Sequence, residues 1–354
     1  TAVLGLGNIG ADASKPVMEG KAVLFKKFAN IDCFDIEIKE NDPVRLSEII
    51  TALQPTFGAI NLEDIKAPDC FLVEELCKKK MNIPVFHDDQ HGTAIVVAAA
   101  ALNALKLTSR KFADIKIVCV GAGAAGIACL KMLIALGVKK RNIWLFDTKG
   151  LVTTERKEVN KEKAFFAQSS SNLELHQAIS GADLFLGLSG PSILTSSMVI
   201  KMAPEPIIFA LANPDPEILP EDARKVVPNS IIATGRSDYP NQVNNVLCFP
   251  FIFRGALDVG ATEINDEMKI ACVESIASLA RIVSVAETLA AYEGENLKFG
   301  VDYLIPKPFD PRLLPTVASA VAEAAIKSGV ATRIIDIDEY KRSLQSSIHR
   351  SAIL

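Results

Sequence analysis

Three things are scarce in this chain: thiols spaced to bind a metal, positive charge gathered into a patch, and apolar runs long enough to cross a bilayer. The seven cysteines (Cys33, Cys70, Cys77, Cys119, Cys129, Cys248 and Cys272) are odd in number, lie mostly inside apolar runs and include no C-x-x-C. That argues against a disulfide framework or a thiolate metal site, and for reduced, buried thiols in a cytoplasmic protein. Lys and Arg number 38 against 42 Asp and Glu, a net charge of −4 with the signs interspersed, so no basic stripe offers itself to nucleic acid or to an anionic membrane. The longest uncharged stretch near the centre, GTAIVVAAAALNAL, is too short to span a bilayer and reads as a buried, Ala-rich helix. No G-x-S-x-G nucleophile elbow supports hydrolysis. No repeat or low-complexity segment is present, and Ser169-Ser170-Ser171 is expected to form a short loop. The chain opens on Thr1 and strand-like residues with no signal sequence, from which a segment upstream of this numbering is expected.

What is present is alternation. With 354 residues the chain is long enough for two domains. Strands are expected at AVLGLG, DCFDIEI, AINLED, IPVFHDD, IKIVCVG, NIWLFD, LFLGLS, IIFALAN and SIIATG, with helices between most of them. Strands cease after about residue 252, where GALDVGATEINDEMKIACVESIASLARIV and PRLLPTVASAVAEAAIKSG read as helices. The pattern predicts an α/β fold of two parallel-sheet domains, one a Rossmann dinucleotide-binding domain and the other a substrate/metal domain completed by C-terminal helices. The expected boundaries are 1–90 plus 250–354 for the substrate/metal domain and 91–249 for the Rossmann domain.

The fingerprint G-x-G-x-x-G occurs twice, as Gly5, Gly7, Gly10 and as Gly121, Gly123, Gly126. A pyrophosphate needs backbone N–H groups at the first turn of an unbroken helix. The second copy provides one: strand IKIVCV, the glycine turn, the apolar run IACLKMLIALGV, and a strand ending in Asp147, placed to meet a ribose. Its cradle is Gly121, Gly123, Ala124, Ala125 and Gly126. In the first copy Pro16 and Gly20 interrupt ADASKPVMEGKAVLFKKF, so its helix is expected to start at Lys15-Pro16 or later. Although Asp32 or Asp35 could play the ribose acid, that copy is read as a tight turn needing glycine for positive φ.

Chemistry concentrates at strand ends. Glu63-Asp64 and Asp88-Asp89 each follow an apolar strand, and four converging carboxylates repel unless a cation joins them. Mg²⁺ or Mn²⁺, hard ions that take oxygen ligands, are the natural neutralisers. The competing reading is helix caps and solvated loop acids. His87 and His91 share the four-residue spacing of H-E-x-x-H, but the preceding strand, Gly92 and the aspartate at the glutamate position argue against zinc. Lys21 is the candidate base, with Asp88 as its partner and a neighbouring cation to lower its pKa; Lys15, Lys26 and Lys27 are alternatives of the same type. Ser189, Asn213, Asn244 and Asn245 close later strands as neutral hydrogen-bonding groups for substrate carboxylate and ribose hydroxyls.

The segments VFHDDQHGTAIVVAAA, NLEDIKAP, ASKPVMEGKAVLFKKF and TGRSDYPNQVNN together resemble the malic enzyme family in its shorter bacterial-type branch, from the first residues to about position 290. The resemblance implies oxidative decarboxylation of L-malate to pyruvate and CO₂ with NAD or NADP and Mg²⁺ or Mn²⁺. It implies Glu63, Asp64 and Asp89 as metal ligands, Lys21 as the catalytic lysine, and Asp88 as the carboxylate that orients it. Asn213 and Asn245 match the malate-contacting amides with Asn244 beside them, and a homodimer is expected. The family's tyrosine acid sits in a Tyr-Thr-Pro-Gly type motif N-terminal to this chain's first residue, and none of Tyr239, Tyr292, Tyr303 or Tyr340 matches it. Where the family has Gly after Phe-Pro, this chain has Phe251, from which a reshaped pocket approach is expected.

Two other readings stand beside this one: a catalytically incomplete fragment that binds dinucleotide and metal, and another NAD(P)-dependent dehydrogenase, which would not need the acid pairs. Asp147 favours NAD by repelling a 2′-phosphate, while Lys149 and Arg156 in DTKGLVTTER could hold that phosphate.

Overall fold

The computed structural model describes residues 1–3, 6–169, 173–292 and 294–351. Gly5 of the first fingerprint and Ser170 and Ser171 of the expected loop lie outside the described residues. The chain forms two units, Thr1–Val96 with Asn245–Lys298 and Pro306–Leu354, and Val97–Asn244 with Phe299–Ile305.

The first unit holds two parallel strands, β1 (Ile60–Leu62) and β2 (Val85–His87). Against them pack helices α2 (Pro43–Ala52) and α3 (Asp69–Lys80), which follow α1 (Ala11–Ala29) in the chain. Ile50, Leu62, Val73, Cys77, Met81 and Val85 form the core of this layer. After β2 the chain enters α4 (Asp88–Leu107), within which the first unit's leading segment ends.

The second unit is a six-stranded sheet of β3 (Ile117–Val120), β4 (Ile143–Asp147), β5 (Gly150–Leu151), β6 (Leu184–Gly187), β7 (Ile207–Ala210) and β8 (Ile231–Thr234), in the order β5-β4-β3-β6-β7-β8. All pairs are parallel except β4 with β5. Val118, Phe185, Ile208 and Ile232 stand in register across β3, β6, β7 and β8 and belong to one buried cluster. Both sheet faces are covered, so these strands read as continuous apolar runs without alternation. Following β3 is α5 (Ala124–Ala135). Strand order reverses between β3 and β6, and in such sheets that reversal opens the ligand crevice at the carboxyl edge.

Late in the chain come α6 (Phe249–Asp258), α7 (Asp266–Ala280), α8 (Leu313–Lys327) and α9 (Ile337–Ser351), all of the first unit, with α6, α7 and α9 each packed on α8. Phe251 is 2 % exposed and its ring meets Phe28 of α1 edge-on with centroids 6.4 Å apart, so the departure from the family's glycine fills core volume between two helices of the first unit.

Three expectations need correction. The first sheet is smaller than nine strands implied: among the described residues AVLGLG shows an isolated antiparallel bridge, Val3 with Gly7, and DCFDIEI has no strand. Phe34 and Ile36 of that segment are exposed, so its alternation is real but meets no partner strand among the described residues. Second, α1 begins at Ala11, before Lys15-Pro16, and runs through Pro16 and Gly20 without a break. Pro16 removes only the bond to the Asp12 carbonyl in the helix's opening turns, and tertiary packing further along outweighs that propensity cost. Third, β5 was not foreseen. All seven cysteines are free, and all but the half-buried Cys33 are buried. Among the described residues no helix is long and apolar enough to cross a membrane.

Candidate active site

Since β1 and β2 pair in parallel with Leu62 opposite His87, the residues that follow them emerge at one edge. Glu63 and Asp64 leave β1, and Asp88 and Asp89 form the first turn of α4, where the helix dipole favours acids. Ligand oxygens of Glu63, Asp64 and Asp89 lie within 4.8 Å of one another. Asp64 takes the left-handed conformation at φ 55°, rare outside glycine, and its N–H donates to Asp89 Oδ2 at 2.7 Å.

Electrostatics argue that this group wants a cation. Burial, and then the charge of Asp89, pushes the Glu63 carboxyl up to about 8. Burial and Asp64 push Asp89 up to about 7, and burial raises Asp64. Asp64 Oδ2 is buried and has no hydrogen-bond partner. Three carboxylates that resist ionising together, one with an open lone pair, fit a hard divalent ion that takes oxygen ligands.

Lys21 stands beside them. Met18, Lys21, Phe25 and Ala29 share one face of α1 by their three- and four-residue spacing. Phe25 anchors that face on α6, its ring 4.8 Å from Phe249 and 5.3 Å from Phe253. One turn earlier, Lys21 Nζ lies 3.0 Å from Glu63 Oε1, hydrogen-bonds Asp88 Oδ2 and sits 4.0 Å from the Phe249 ring centroid. Burial lowers the pKa of Lys21, but Asp88 and Glu63 outweigh it and the net shift is upward.

Asp88 is fully buried, and burial carries it up to about 7 against the pull of Lys21. Its Oδ2 also accepts from Asn245 Nδ2 at 2.5 Å, while Oδ1 has no partner. Asn61 Nδ2 donates to Glu63 Oε2 at 2.8 Å and fixes that carboxylate. A cavity of about 770 Å³ opens on Lys21, Glu63 and Asp64, with residues 31–41 along its wall. It has room for a small dicarboxylate.

The rival assignments do not assemble. His91 Nε2 is 2.7 Å from Glu74 Oε1 and His87 is enclosed in β2, so the two imidazoles serve the core, and the zinc set is not formed. Lys15 pairs with Asp35 at 2.5 Å and Lys26 with Asp32 at 2.8 Å, both lysines exposed and neither paired with the acids at the ends of β1 and β2. Lys27 faces Phe309.

In the second unit the other fingerprint meets its requirements glycine by glycine. Gly121 has φ 117°, and a Cβ there would lie 2.6 Å from the Leu188 carbonyl carbon. At Gly126 a Cβ would press on the Gly121 carbonyl, 3.1 Å from its carbon. Gly123 caps α5 with no side-chain hydrogen bond, and a Cβ on it would meet nothing within 4 Å. One glycine makes the turn, one lets helix and strand close, and one leaves space in front of the free N–H groups of Ala124 and Ala125. These are the three roles a pyrophosphate cradle needs. Gly7 and Gly10 have positive φ and open space, which suits a turn. Helix continuity therefore does not separate the two copies; what marks the second, among the described residues, is the strand leading into it, β3, paired in parallel on both sides.

Asp147 ends β4, yet its carboxylate is already held. Arg156 reaches both oxygens at 2.9 Å, Lys163 Nζ donates at 2.9 Å and the Lys149 N–H at 2.9 Å. Although burial opposes it, Arg156 and Lys163 keep the carboxyl at about 2. Ser189 lies exposed after β6, Asn213 half-buried after β7, and Asn244 half-buried after β8.

The sequence model for "Malic enzyme, NAD binding domain" matches residues 90–290, and that for "Malic enzyme, N-terminal domain" matches residues 1–78. The chain belongs to the malic enzyme family. An NADP-dependent malic enzyme of Salmonella typhimurium is 57 % identical over 354 residues, 99 % of this chain and 47 % of its own. An NAD-dependent malic enzyme of Rhizobium meliloti is 59 % identical over 356 residues, 100 % of this chain and 46 % of its own. The crystal structure of malic enzyme from Pyrococcus horikoshii superposes with a TM-score of 0.87 at 41 % identity, covering 97 % of this chain and 78 % of that one. The chain spans about half the length of the first two relatives.

Within this chain, four residues of consequence escaped sequence reasoning. A Cβ on Gly92 would lie 2.9 Å from Asp88 Cγ and 3.1 Å from Asn245 Cβ, so Gly92 makes the room that Asp88 occupies. Its signal was present, a small residue one helical turn after the acid. Phe249, Lys163 and Glu217 carried none, because each is brought to its place by tertiary packing. The four tyrosines stand elsewhere: Tyr340 OH donates to Asp258 and Tyr239 OH to Glu221, Tyr292 OH accepts from the Phe309 N–H, and Tyr303 is in the core.

Proposed function

We propose that this chain carries the chemistry of a malic enzyme, oxidative decarboxylation of L-malate to pyruvate and CO₂ with reduction of NAD(P). The observation that bears most weight is the Lys21 ammonium held between Glu63 and Asp88 at the edge where Glu63, Asp64 and Asp89 converge. Glu63, Asp64 and Asp89 would hold Mg²⁺ or Mn²⁺. Such an ion supplies charge compensation and Lewis acidity toward the oxygens of malate. A dinucleotide would supply the hydride acceptor, and Gly121, Gly123, Ala124, Ala125 and Gly126, with Asp147, would hold it.

Lys21 first gives its ammonium proton to Asp88, and as the neutral amine then takes the proton from the C2 hydroxyl as hydride leaves C2. Asp88, fixed by Asn245, orients Lys21 and receives part of its charge. Asn245, and on the family's pattern Asn213 and Asn244, hydrogen-bond malate without adding charge. Ser189 lies with Asn213 on the dinucleotide's side. Loss of CO₂ follows from the 2-oxo acid that oxidation produces.

Coenzyme choice follows the charge around Asp147. Arg156 and Lys163, two cations against one carboxylate, leave that group at net charge +1. The repulsion of a 2′-phosphate that favoured NAD is thereby offset, and we read the site as able to take NADP. The homodimer is part of the same proposal, with sedimentation its test.

A malate-dependent absorbance rise at the nicotinamide wavelength, measured with and without Mn²⁺ and with each coenzyme, tests the reading. No rise in the complete polypeptide sinks it. A rise indifferent to Mn²⁺ favours a dehydrogenase of another kind.

A further inference from the structure

Glu217 is a carboxylate with no solvent exposure inside the sheet unit. Among the described residues, the groups that donate to its side chain are all neutral. Oε1 accepts from the Ser189 N–H at 2.9 Å and the Ser189 hydroxyl at 3.4 Å, and Oε2 from the Ala212 N–H at 3.1 Å. The backbone carbonyl of Glu217 accepts from the Leu194 N–H at 3.0 Å. Gly187, the last residue of β6, makes room for the side chain: a Cβ there would lie 2.6 Å from Oε1 and 2.7 Å from Cγ. One carboxylate thus ties the loop after β6, which carries Ser189, to the loop after β7, which carries Asn213.

Burying an acid without a cation is costly, and these bonds repay it only while every donor meets an oxygen. Burial raises the pKa of Glu217, and the donated bonds pull it back. An isosteric Gln would turn its own N–H₂ toward one of the donors and break half of the tie.

We propose that Glu217 is a positioning residue for the nicotinamide half of the coenzyme, holding the two strand-end loops at the spacing that half requires. This rests on the dinucleotide reading above. With strand order reversing between β3 and β6, the adenosine half falls over β4 and the nicotinamide half over β6 and β7. Glu217 is fully buried and acts only through the two loops it ties, so its effect is expected on that half.

The test compares Glu217→Gln with the unsubstituted protein by calorimetry against two ligands, the complete dinucleotide and its ADP-ribose fragment, with Mn²⁺ affinity as a control. Loss of a hydrogen bond to a charged group predicts dinucleotide affinity lowered on the order of 10- to 100-fold, with ADP-ribose and Mn²⁺ binding within about twofold of normal. Equal dinucleotide affinity in both proteins overturns the proposal. So does a parallel loss for both nucleotides, which marks general damage to the sheet. If Glu217→Gln does not fold, Glu217→Asp keeps the charge but draws the oxygens back, and the same selective loss is required of it. Failure of the unsubstituted protein to bind the dinucleotide would instead overturn the functional reading beneath this one.

Discussion

Gly92→Ala separates the geometry of the candidate site from the stability of the fold. The added Cβ would stand 2.9 Å from Asp88 Cγ and 3.1 Å from Asn245 Cβ. Carbon atoms rest at about 3.5 Å, so 3.5 − 2.9 requires the carboxyl to retreat by at least about 0.6 Å, with Asn245 displaced as well. Asp88 then loses alignment with both Lys21 and Asn245, and no solvent reaches it to compensate. Misplacement approaching an ångström in a catalytic array costs roughly 10²-fold in turnover, about 2.7 kcal/mol. Stability should change little by comparison. Alanine in a helix interior returns about 1 kcal/mol, set against overpacking strain of about 1–3 kcal/mol. Gly20→Ala is the control: it lies in α1, is exposed and has nothing within 4 Å of an added Cβ. It should gain roughly 0.5–1 kcal/mol and keep its turnover. The assay is steady-state malate oxidation beside thermal unfolding of all three proteins. If Gly92→Ala turns over within about threefold of the parent, Asp88 does not act where the structure puts it.

Arg156→Ala should raise KM for NADP more than for NAD, by roughly tenfold, since it removes a charge-assisted donor and leaves Asp147 less compensated; equal changes for the two coenzymes would refute it. Asp147 has a folded-state pKa depressed to about 2 from 3.8, so its stabilising contribution is complete above the unfolded value and is lost as pH falls toward 2. The stability difference between the parent and Asp147→Asn should accordingly shrink as pH falls from about 4 toward 3, followed by denaturant unfolding; a constant difference contradicts the assignment. Saturating Mn²⁺ should stabilise the parent, by about 2.7 kcal/mol at a hundredfold excess over Kd, and chelation should reverse this. Asp89→Asn should lose most of that gain while keeping dinucleotide affinity, and equal loss of both would make Asp89 a structural residue.

Legibility in the sequence followed locality. The second fingerprint could be read in full because turn, close approach and open cradle are set by neighbouring residues, and the acid pairs because a strand's end fixes where its next residues point. Parallel pairing of β1 with β2, which brings those pairs together, was implied by alternation. What could not be read is long-range. Pro16 looked like a helix breaker because the aromatic anchoring of Phe25 on α6 is invisible at the proline. DCFDIEI alternates like a strand, but alternation does not say whether a partner strand is present. Lys149 and Arg156 could be read as neighbours of Asp147, but that Lys163, 16 residues on, joins Arg156 upon its carboxylate could not.

The central claim is that Lys21 and the acids around it perform the oxidation, and Lys21→Met tests it most directly, with malate-dependent reduction of NAD(P) measured beside Mn²⁺ and dinucleotide affinities. The account predicts turnover lowered by at least about 10²-fold, the usual contribution of a general base, with both affinities retained. Turnover near that of the parent in a folded Lys21→Met protein would contradict it.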